Sequence, residues 1–333
     1  MTNPFISICV PVFLPSRQAG NGEKHLKECL DSCISQTFTN YEIIICDDGS
    51  SDESISMCEE YASKHKHIKF YKNEKNLGLL GNWNKCVELA NGTWIKFLFQ
   101  DDLMNSNCLE EFAKNALDGV ELIVCKRNFL LESSASEDEK DYYQNRVRTL
   151  ENTGQFTSND FKAQTISKIA NDHPSLNFIG EPSLTMFKKE ALLKVGGFDN
   201  ELKQICDLEF LLRLASVYGL RYIPQQLCGF RIHSSSTTMK NVSSNNYYIN
   251  NIEGLLYVLK LLTKPEFKSF RSHIGVNGLS KQRMFVKYRL FKASRAIKNS
   301  EDRQIFNALS SKYKQFMYKW FDIPVLKLYM MLK

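Results

Sequence analysis

The chain has 333 residues, of which 43% are hydrophobic and 24% are charged, and its formal net charge is +6. This is the balance of an ordinary globular protein with a sizeable core; the mild positive charge suggests an acidic partner or surface, although solubility alone would explain it. The ten cysteines include no C-x-x-C pair, which argues against a zinc ribbon and indicates buried reduced thiols in a cytoplasmic protein. No apolar run approaches the ~20 residues that span a bilayer, and the N-terminus is a poor signal peptide.

Strand and helix patterns alternate through the first hundred residues. The strand patterns are "ISICVPVF" at 6–13, "YEIIIC" at 41–46, "HIKFY" at 67–71 and "TWIKFLF" at 93–99. The segments between them carry apolar residues at helical spacing, and Gly92 is placed to end the helix before the fourth strand. Such alternation predicts right-handed β-α-β units and a parallel sheet.

Acidic pairs follow two of these strand patterns. Asp47 and Asp48 come directly after the second strand, and Asp101 and Asp102 follow the fourth. In parallel sheets, ligands bind beyond the carboxyl ends of the strands. We therefore expect the four carboxylates to lie at one rim of the sheet, where a polar ligand or a metal ion can meet them.

The second half of the chain is less regular. A fifth strand is predicted at 120–126, and residues 128–176 form a polar stretch that we interpret as an insertion or a lid. Strand and helix patterns then return, and residues 241–333 are mostly helix-forming and basic. We therefore predict one domain over residues 1–240 and a helical C-terminal region over residues 241–333.

Six segments occur in an order that is similar to a known enzyme family. They are "SICVPVF", "IIICDDGSSDES", "NLGLLGNWNKCVELANGTWIKFLFQDD", "GGFD", "CDLEFLLRL" and "FRIHSSSTT". This order resembles the family 2 nucleotide-sugar glycosyltransferases over residues 5–240, apart from the insertion. The resemblance implies an α/β fold of the GT-A type, a Rossmann-like, mostly parallel sheet flanked by helices. It also implies inverting transfer of a sugar from a nucleotide-sugar donor, with UDP as the expected nucleotide.

The resemblance also assigns residues to the donor. The expected donor-site residues are Val10, Pro11, Val12, Asp48, Trp83, Asn84, Asp101 and Asp102. Asp48 would accept the uracil N3–H, with backbone groups of residues 10–12 beside it, whereas Asp47 is expected to be structural. The alternative for this segment is an ordinary turn and helix cap. Trp83 stands where relatives carry an arginine that touches the nucleotide, so a place in the core is equally expected for it.

A divalent cation is the expected cofactor. The family's Asp-x-Asp motif with a further Asp falls on Phe99–Asp102, so its first carboxylate is replaced by Phe99. The resemblance implies Mn²⁺ or Mg²⁺ at Asp101, with Asp102 binding directly or through water and His233 nearby. Such an ion neutralises a diphosphate leaving group as a Lewis acid. The alternatives are that the two carboxylates cap the next helix and that His233 is a satisfied polar residue.

The acceptor hydroxyl needs a base, because its pKa lies far above 7. The resemblance places this base at Asp207, where the preceding acid of the family's pair is replaced by Cys206. A single displacement needs this base and no enzymic nucleophile. The alternative is that Asp207 only complements the N-terminus of its helix.

The expected partners are the nucleotide-sugar donor and a hydroxyl of a surface polysaccharide or a lipid-linked glycan. Residues 311–333 combine lysines with apolar and aromatic residues, which predicts reversible contact with an anionic membrane at its inner face. A helix packed on the catalytic domain is the alternative for this segment. No motif supports binding of nucleic acid.

Two other functions remain open at this point. A nucleotidyltransferase of similar fold would use a Gly-rich basic loop after the first strand, and "LPSRQAGNGEK" at 14–24 is a faint version of one. The replacements at Phe99 and Cys206 also fit a degenerate subunit that binds a nucleotide sugar without turnover. Release of UDP, of pyrophosphate or of neither would separate the three functions.

Overall fold

The computed structural model describes residues 3–14, 21–154, 158–174, 176–233, 236 and 246–313. The strands are β1 (Ile6–Val12), β2 (Tyr41–Asp47), β3 (Ile68–Lys72), β4 (Trp94–Phe97), β5 (Leu103–Met104), β6 (Leu122–Cys125), β7 (Phe129–Leu131), β8 (Asp160–Phe161), β9 (Thr185–Lys188), β10 (Leu220–Ile223) and β11 (Cys228–Ile232). The helices are α1 (Gly22–Ile34), α2 (Asp52–Lys64), α3 (Leu79–Leu89), α4 (Cys108–Asn115), α5 (Glu137–Asp141), α6 (Ala163–Asp172), α7 (Lys189–Val195), α8 (Cys206–Tyr218), α9 (Gly254–Thr263), α10 (Lys268–Arg295) and α11 (Ser300–Lys312).

A large mixed sheet organises the molecule. Its strand order is β3-β2-β1-β4-β9-β6-β10-β8, and β9 is antiparallel to both of its neighbours, β4 and β6. Strands β1 to β4 pair in parallel, as the alternation of strands and helices predicts. A second sheet of three short strands, in the order β5-β11-β7, stands beside the carboxyl edge of β4. The prediction of an α/β fold with a mostly parallel sheet and a helical C-terminal region is confirmed.

Apolar side chains bury both faces of the first strands. Every residue of β1 is buried, because helices cover the sheet on each side. All ten cysteines are buried and none forms a disulfide, so the expectation of buried thiols is confirmed. The expected role of Gly92 as a helix terminator was wrong, because α3 already ends at Leu89. Gly92 is instead required by a close approach, since a Cβ there would lie 2.5 Å from the backbone nitrogen of Ser7.

The polar stretch at 128–176 carries secondary structure that joins both sheets. Its strand β7 pairs in parallel with β11, and β8 adds an edge strand beside β10. Its helix α6 packs on α8 and α10 and buries Ile166, Ile169 and Ala170. These residues have the spacing of an amphipathic helix, a signal that the polar composition of the stretch obscures.

The C-terminal helices pack on the rest of the chain as far as they are described. α9 is almost wholly buried, and α10 packs on α9, α6 and α8 with a break at Gly275, whose φ is +64°. Lys312, near the end of α11, binds the carboxylate of Glu201. Most of the segment predicted to meet a membrane, residues 314–333, lies outside the described residues. Among the helices that the structure describes, none has the length and apolarity to cross a bilayer.

Candidate active site

A cavity of about 600 Å³ opens at the carboxyl edge of the large sheet. Three of the predicted carboxylates, Asp48, Asp101 and Asp207, line this one cavity although they are far apart in sequence. Segments from both halves of the chain and from the polar stretch complete the wall. Other lining residues are Pro11, Val12, Asn76, Leu79, Asn82, Trp83, Phe99, Gln100, Arg127, Tyr142, Tyr143, Arg148, Asn177, Glu181, Lys203 and Arg231.

A tight turn after β2 aims Asp48 at the cavity. The carboxylate of Asp47 accepts hydrogen bonds from the backbone nitrogens of Gly49 and Ser50, each at 3.1 Å, and this holds the turn. Gly49 has a φ of +95°, which favours glycine. The backbone nitrogen of Asp48 donates to the carbonyl oxygen of Val12 at 2.9 Å. Asp47 therefore occupies the structural position expected for it.

Asparagines from the segment after β3 surround Asp48. Asp48 Oδ1 accepts from Asn73 Nδ2 at 2.9 Å and from the backbone nitrogen of Leu77 at 2.7 Å. Asn73 Nδ2 also lies 3.0 Å from Asn82 Oδ1, and Asn82 Nδ2 donates to the carbonyl oxygen of Cys46 at 2.9 Å. Sequence reasoning missed these amides; the signal was the repeated asparagines at 73, 76, 82 and 84.

Three of the expected donor-site residues, Val10, Asn84 and Asp102, do not line the cavity. Val10 is fully buried in the core, whereas Pro11 and Val12 line the cavity. The side chain of Asn84 forms two hydrogen bonds with the backbone of Phe198. It donates to the Phe198 carbonyl oxygen at 3.2 Å and accepts from the Phe198 nitrogen at 3.0 Å. The expectation that Val10 and Asn84 contact the donor finds no support in these positions.

Trp83 lies in the core and also lines the cavity. It is 5% exposed and belongs to the core, yet one edge lines the cavity. Its ring stacks on Phe99 with the centroids 4.6 Å apart. Phe99, the residue that replaces the first carboxylate of the metal motif, therefore completes an apolar wall with Trp83.

The adjacent carboxylates Asp101 and Asp102 point to different surroundings. Asp101 lines the cavity, and its Oδ2 lies 3.1 Å from His233 Nε2. Asp102 is fully buried, and its Oδ1 accepts from the backbone nitrogen of Arg231 at 2.9 Å. Burial, together with the neighbouring charge of Asp101, raises the pKa of Asp102 well above its usual range. Asp102 thus does not line the cavity, and its Oδ1 anchors β11 behind the site.

The metal-ligand set is small. Among the described residues, no group of three or more His, Cys, Asp or Glu side chains is arranged to hold an ion. Asp101 offers one carboxylate at the cavity wall, and the imidazole of His233 lies 3.1 Å from it. Mg²⁺ and Mn²⁺ are commonly bound by one or two carboxylates together with substrate phosphates. The residues present therefore fit an ion shared with a phosphorylated substrate better than one held by protein ligands alone.

A charged network supports Asp101 and His233 from behind. Arg231 donates to the carbonyl oxygen of Asp101 at 2.8 Å, to Glu132 at 3.0 Å and to Glu28 at 2.7 Å. Glu132 also lies 2.7 Å from His25 Nε2, and the His25 ring contacts that of His233 with centroids 5.1 Å apart.

This network changes the ionisation of His25. Burial and the positive charge of Arg231 lower the pKa of the His25 imidazole. The network spans α1, the polar stretch and β11, so sequence spacing alone could not reveal it.

Asp207 stands in the first turn of α8 with its carboxylate held on both sides. Its Oδ2 accepts from Asn177 Nδ2 at 3.1 Å, and its Oδ1 accepts from the backbone nitrogen of Leu208 at 2.7 Å. Burial raises the pKa of Asp207 to about 7; the charge of Glu181 adds to this rise, and the Leu208 N–H and Arg127 oppose it. A carboxylate with a pKa near neutrality is suited to take up a proton at physiological pH.

The nearby carboxylate Glu209 has a different task. It forms a buried pair with Arg213, with nitrogen–oxygen distances of 3.0 and 2.8 Å. Arg213 also donates to the carbonyl oxygens of residues 195–197, so the pair fixes the loop before α8. Glu209 is therefore already committed to this ion pair and does not line the cavity.

The large sheet has the GT-A fold, and three carboxylates meet in one cavity at its rim. Residues 7–191, more than half of the chain, match the family described as glycosyl transferase family 2, and the chain belongs to that family. It is therefore a nucleotide-sugar glycosyltransferase, as its six sequence segments predict. Membership sets aside the nucleotidyltransferase alternative.

Relatives and solved structures agree with this assignment. Chondroitin synthase of Escherichia coli is 25% identical over 74% of this chain and 32% of its own length. The uncharacterized glycosyltransferase YibD of Escherichia coli is 24% identical over 79% of this chain and 74% of its own.

Two structures with bound donors share the fold. Staphylococcus aureus TarS with UDP-GlcNAc has a TM-score of 0.54 at 17% identity, covering 93% of this chain and 91% of that one. The mannosyltransferase PcManGT of Pyrobaculum calidifontis, with GDP-Man and Mn²⁺, has a TM-score of 0.52 at 15% identity, covering 99% and 86%.

Proposed function

We propose that this chain transfers a sugar from a UDP-sugar to an acceptor hydroxyl by a single, inverting displacement, with Asp207 as the general base. The observation that carries the proposal is that Asp48, Asp101 and Asp207 line one cavity. The site thus offers a carboxylate for the base of the nucleotide, one for the diphosphate end and one for the acceptor proton. Each carboxylate is held by its own hydrogen bonds or contacts.

Asp48 supports UDP as the nucleotide. Its carboxylate lines the cavity and is held by Asn73 and Leu77 on the same oxygen, Oδ1. A fixed carboxylate is an acceptor for the N3–H of uracil. Pro11 and Val12 form the apolar wall beside it. Solved structures of the same fold contain UDP-GlcNAc in one case and GDP-Man in another, so the choice between nucleotides needs a direct test.

The proposed reaction has one displacement. The acceptor oxygen attacks the anomeric carbon, and a new glycosidic bond forms as the bond from this carbon to the diphosphate oxygen breaks. The acceptor proton passes to the Asp207 carboxylate, and UDP leaves with the electron pair. Because the attack comes from the face opposite the leaving group, the anomeric configuration is inverted.

Asp101 and His233 are the residues that would hold a divalent ion, with Mn²⁺ and Mg²⁺ as the candidates. When bound, such an ion supplies positive charge to the departing diphosphate. The Mn²⁺ present with GDP-Man in the mannosyltransferase structure supports this part of the proposal. Arg231 and Glu132 hold the Asp101 backbone and the His25–His233 ring pair in place.

For the acceptor, we propose a hydroxyl of a polysaccharide or of a lipid-linked glycan, at the cytoplasmic face of the membrane. The relative named chondroitin synthase supports a glycan acceptor. The basic and aromatic residues at 311–333 support a peripheral location at the membrane.

The experiment that tests the proposal is Asp207→Asn, which keeps the size of the side chain and removes its basicity. We expect transfer to fall by at least about 10²–10⁴-fold, the usual contribution of a general base. Thermal stabilisation by UDP with Mn²⁺ should persist, because Asp207 takes no part in donor binding. Near-normal transfer by the variant would remove Asp207 from the mechanism, and a product of retained configuration would reject the single displacement.

The nucleotide is tested by a thermal-shift series with UDP-sugars and GDP-sugars in the presence of Mn²⁺. We expect UDP-sugars to stabilise the protein more than GDP-sugars do. Equal stabilisation by both series would contradict the assignment of uracil to Asp48.

A further inference from the structure

Arg127 connects three segments of the cavity wall. It follows β6, and its guanidinium is 4% exposed. Its Nε pairs with Glu181 Oε2 at 3.1 Å, and its two terminal nitrogens donate to the carbonyl oxygens of Arg148 at 2.7 Å and Asn177 at 2.6 Å. The planar fork of one side chain thus fixes the middle of the polar stretch and the loop before β9 together.

Asn177 continues this connection to Asp207. Its Nδ2 donates to Asp207 Oδ2 at 3.1 Å and to the carbonyl oxygen of Gly180 at 3.2 Å, and its Oδ1 accepts from the Gly180 nitrogen at 3.0 Å. With its backbone carbonyl bound by Arg127, this amide has little freedom to turn. Asp207 is therefore held in one orientation by a residue that is itself fixed.

We propose that Arg127 and Glu181 are positioning residues that set the orientation and the charge of the Asp207 carboxylate, the former acting through Asn177. This inference rests on the proposed role of Asp207 as the base. Neither residue belongs to the sequence segments that carry the family resemblance. Both line the same cavity as Asp207, so their charges act across the site rather than through bulk water.

The two residues act on Asp207 in opposite directions. The negative charge of Glu181 favours the protonated form and raises the pKa of Asp207, whereas the positive charge of Arg127 favours the carboxylate and lowers it. Other charged or titratable groups face Asp207 or line the same cavity: Cys206, Tyr257, Tyr142, Tyr143, Arg148, Lys203, Arg231, Asp48 and Asp101. Glu209 is neutralised by Arg213, and Glu253 is bound to the backbone of residues 203–205.

This balance has a chemical use. A stronger base takes the acceptor proton more effectively, but a base whose pKa is too high is already protonated at the working pH. Burial alone would raise the pKa of Asp207, and the Glu181–Arg127 pair tunes it from both sides. Because Arg127 and Glu181 form an ion pair, together they add no net charge to the cavity wall.

The test measures kcat/KM for sugar transfer against pH, because its acid limb reports the base in the free enzyme. In Glu181→Gln we expect the limb to move to lower pH by about one unit, the size of a nearby-charge effect. At pH 6 the variant should retain about half of its own plateau, against about one-tenth for a base with a pKa of about 7 in the wild type. In Arg127→Gln we expect the limb to move to higher pH.

Arg127→Lys separates charge from positioning. It keeps the positive charge but loses the fork, so the plateau should fall while the acid limb stays near its wild-type position. Glu121→Gln is the matched control. Glu121 pairs with Lys188 at 3.0 Å and lies at the other end of β6 from Arg127. This control should change neither the limb nor the plateau.

Opposite movements of the limb in Glu181→Gln and Arg127→Gln support the inference. Lower plateaus with an unmoved limb in both variants would overturn it, because a purely structural role changes the amount of active enzyme and not its pH dependence. If Arg127→Gln does not fold, Glu181→Gln alone decides, and an unmoved limb refutes the inference. Failure of the base assignment itself is recognised separately, since Asp207→Asn would then still transfer sugar.

Discussion

Replacing Asp207 by asparagine should stabilise the fold increasingly as the pH rises. The pKa of Asp207 is raised from 3.8 to about 7 in the folded chain. Between these values the unfolded chain releases the proton while the folded chain keeps it, so the stability of the wild type falls as the pH increases. Asparagine has no such proton. The free energy of unfolding of the variant, relative to the wild type, should therefore increase across this window.

The magnitude follows from the shift. A shift of about three units corresponds to about 4 kcal/mol at full ionisation, since each unit is worth about 1.4 kcal/mol. Between pH 5 and pH 8 the titration accounts for about 2–3 kcal/mol of this. Asparagine has one acceptor oxygen for the two donors, Asn177 Nδ2 and Leu208 N, and loses about 1 kcal/mol at every pH. The variant should thus be close to the wild type at pH 5 and more stable at pH 8.

The assay is urea unfolding of both proteins at a series of pH values, followed by circular dichroism. The quantity compared is the difference between their free energies of unfolding, so effects of pH common to both proteins cancel. A difference that stays constant from pH 5 to pH 8 would refute the argument that burial holds this carboxyl protonated. An inactive but more stable variant would fit a buried carboxyl that is kept for the proposed catalysis at a cost in stability.

Three further predictions concern the donor site and the C-terminal segment. Asp101→Asn should weaken the binding of UDP with Mn²⁺ by at least about 10–100-fold, which is what loss of a residue supporting a metal ligand costs, and the thermal stabilisation should fall accordingly. Asp102→Asn should retain this stabilisation, because Asp102 is buried behind the site. Equal losses of thermal shift in the two variants would contradict this distinction. Asp48→Asn should weaken UDP binding by calorimetry about 10-fold or more without changing its dependence on metal, and an unchanged affinity would reject the uracil contact. Deleting residues from Ser311 onward should abolish flotation with anionic liposomes, and unchanged flotation would defeat the membrane prediction.

The positions of Asp48 and Asp101 could be predicted from the strand–helix alternation of the first hundred residues. This alternation predicts a parallel sheet, and a parallel sheet places both residues at one rim. It could not decide between Asp101 and Asp102, because adjacent residues after a strand point in different directions. That choice is made by Arg231, whose backbone nitrogen binds Asp102 from 129 positions further along the chain.

Another part of the site comes from segments that have no periodic pattern. Arg127, Asn177 and Glu181 lie in loops, where the sequence indicates neither direction nor partner. The polar stretch between them is predicted as an insertion because its strands β7 and β8 are short and only partly buried, and its polar composition obscures the amphipathic helix α6. Hydrophobic periodicity in a sequence indicates which face of a helix or strand is buried. The loops that carry Arg127, Asn177 and Glu181 are held instead by hydrogen bonds to distant parts of the chain.

The small sheet β5-β11-β7 explains how such distant segments form one site. Asp101 precedes β5, His233 follows β11, and β7 begins the polar stretch that carries Glu132. Pairing of the three strands therefore brings Asp101 and His233, the proposed ion ligands, against the network of Arg231 and Glu132. The same polar stretch ends at the loop where Arg127 and Asn177 hold Asp207. A change that displaced β7 should consequently disturb both the proposed ion ligands and the proposed base, so loss of donor binding and loss of transfer should occur together.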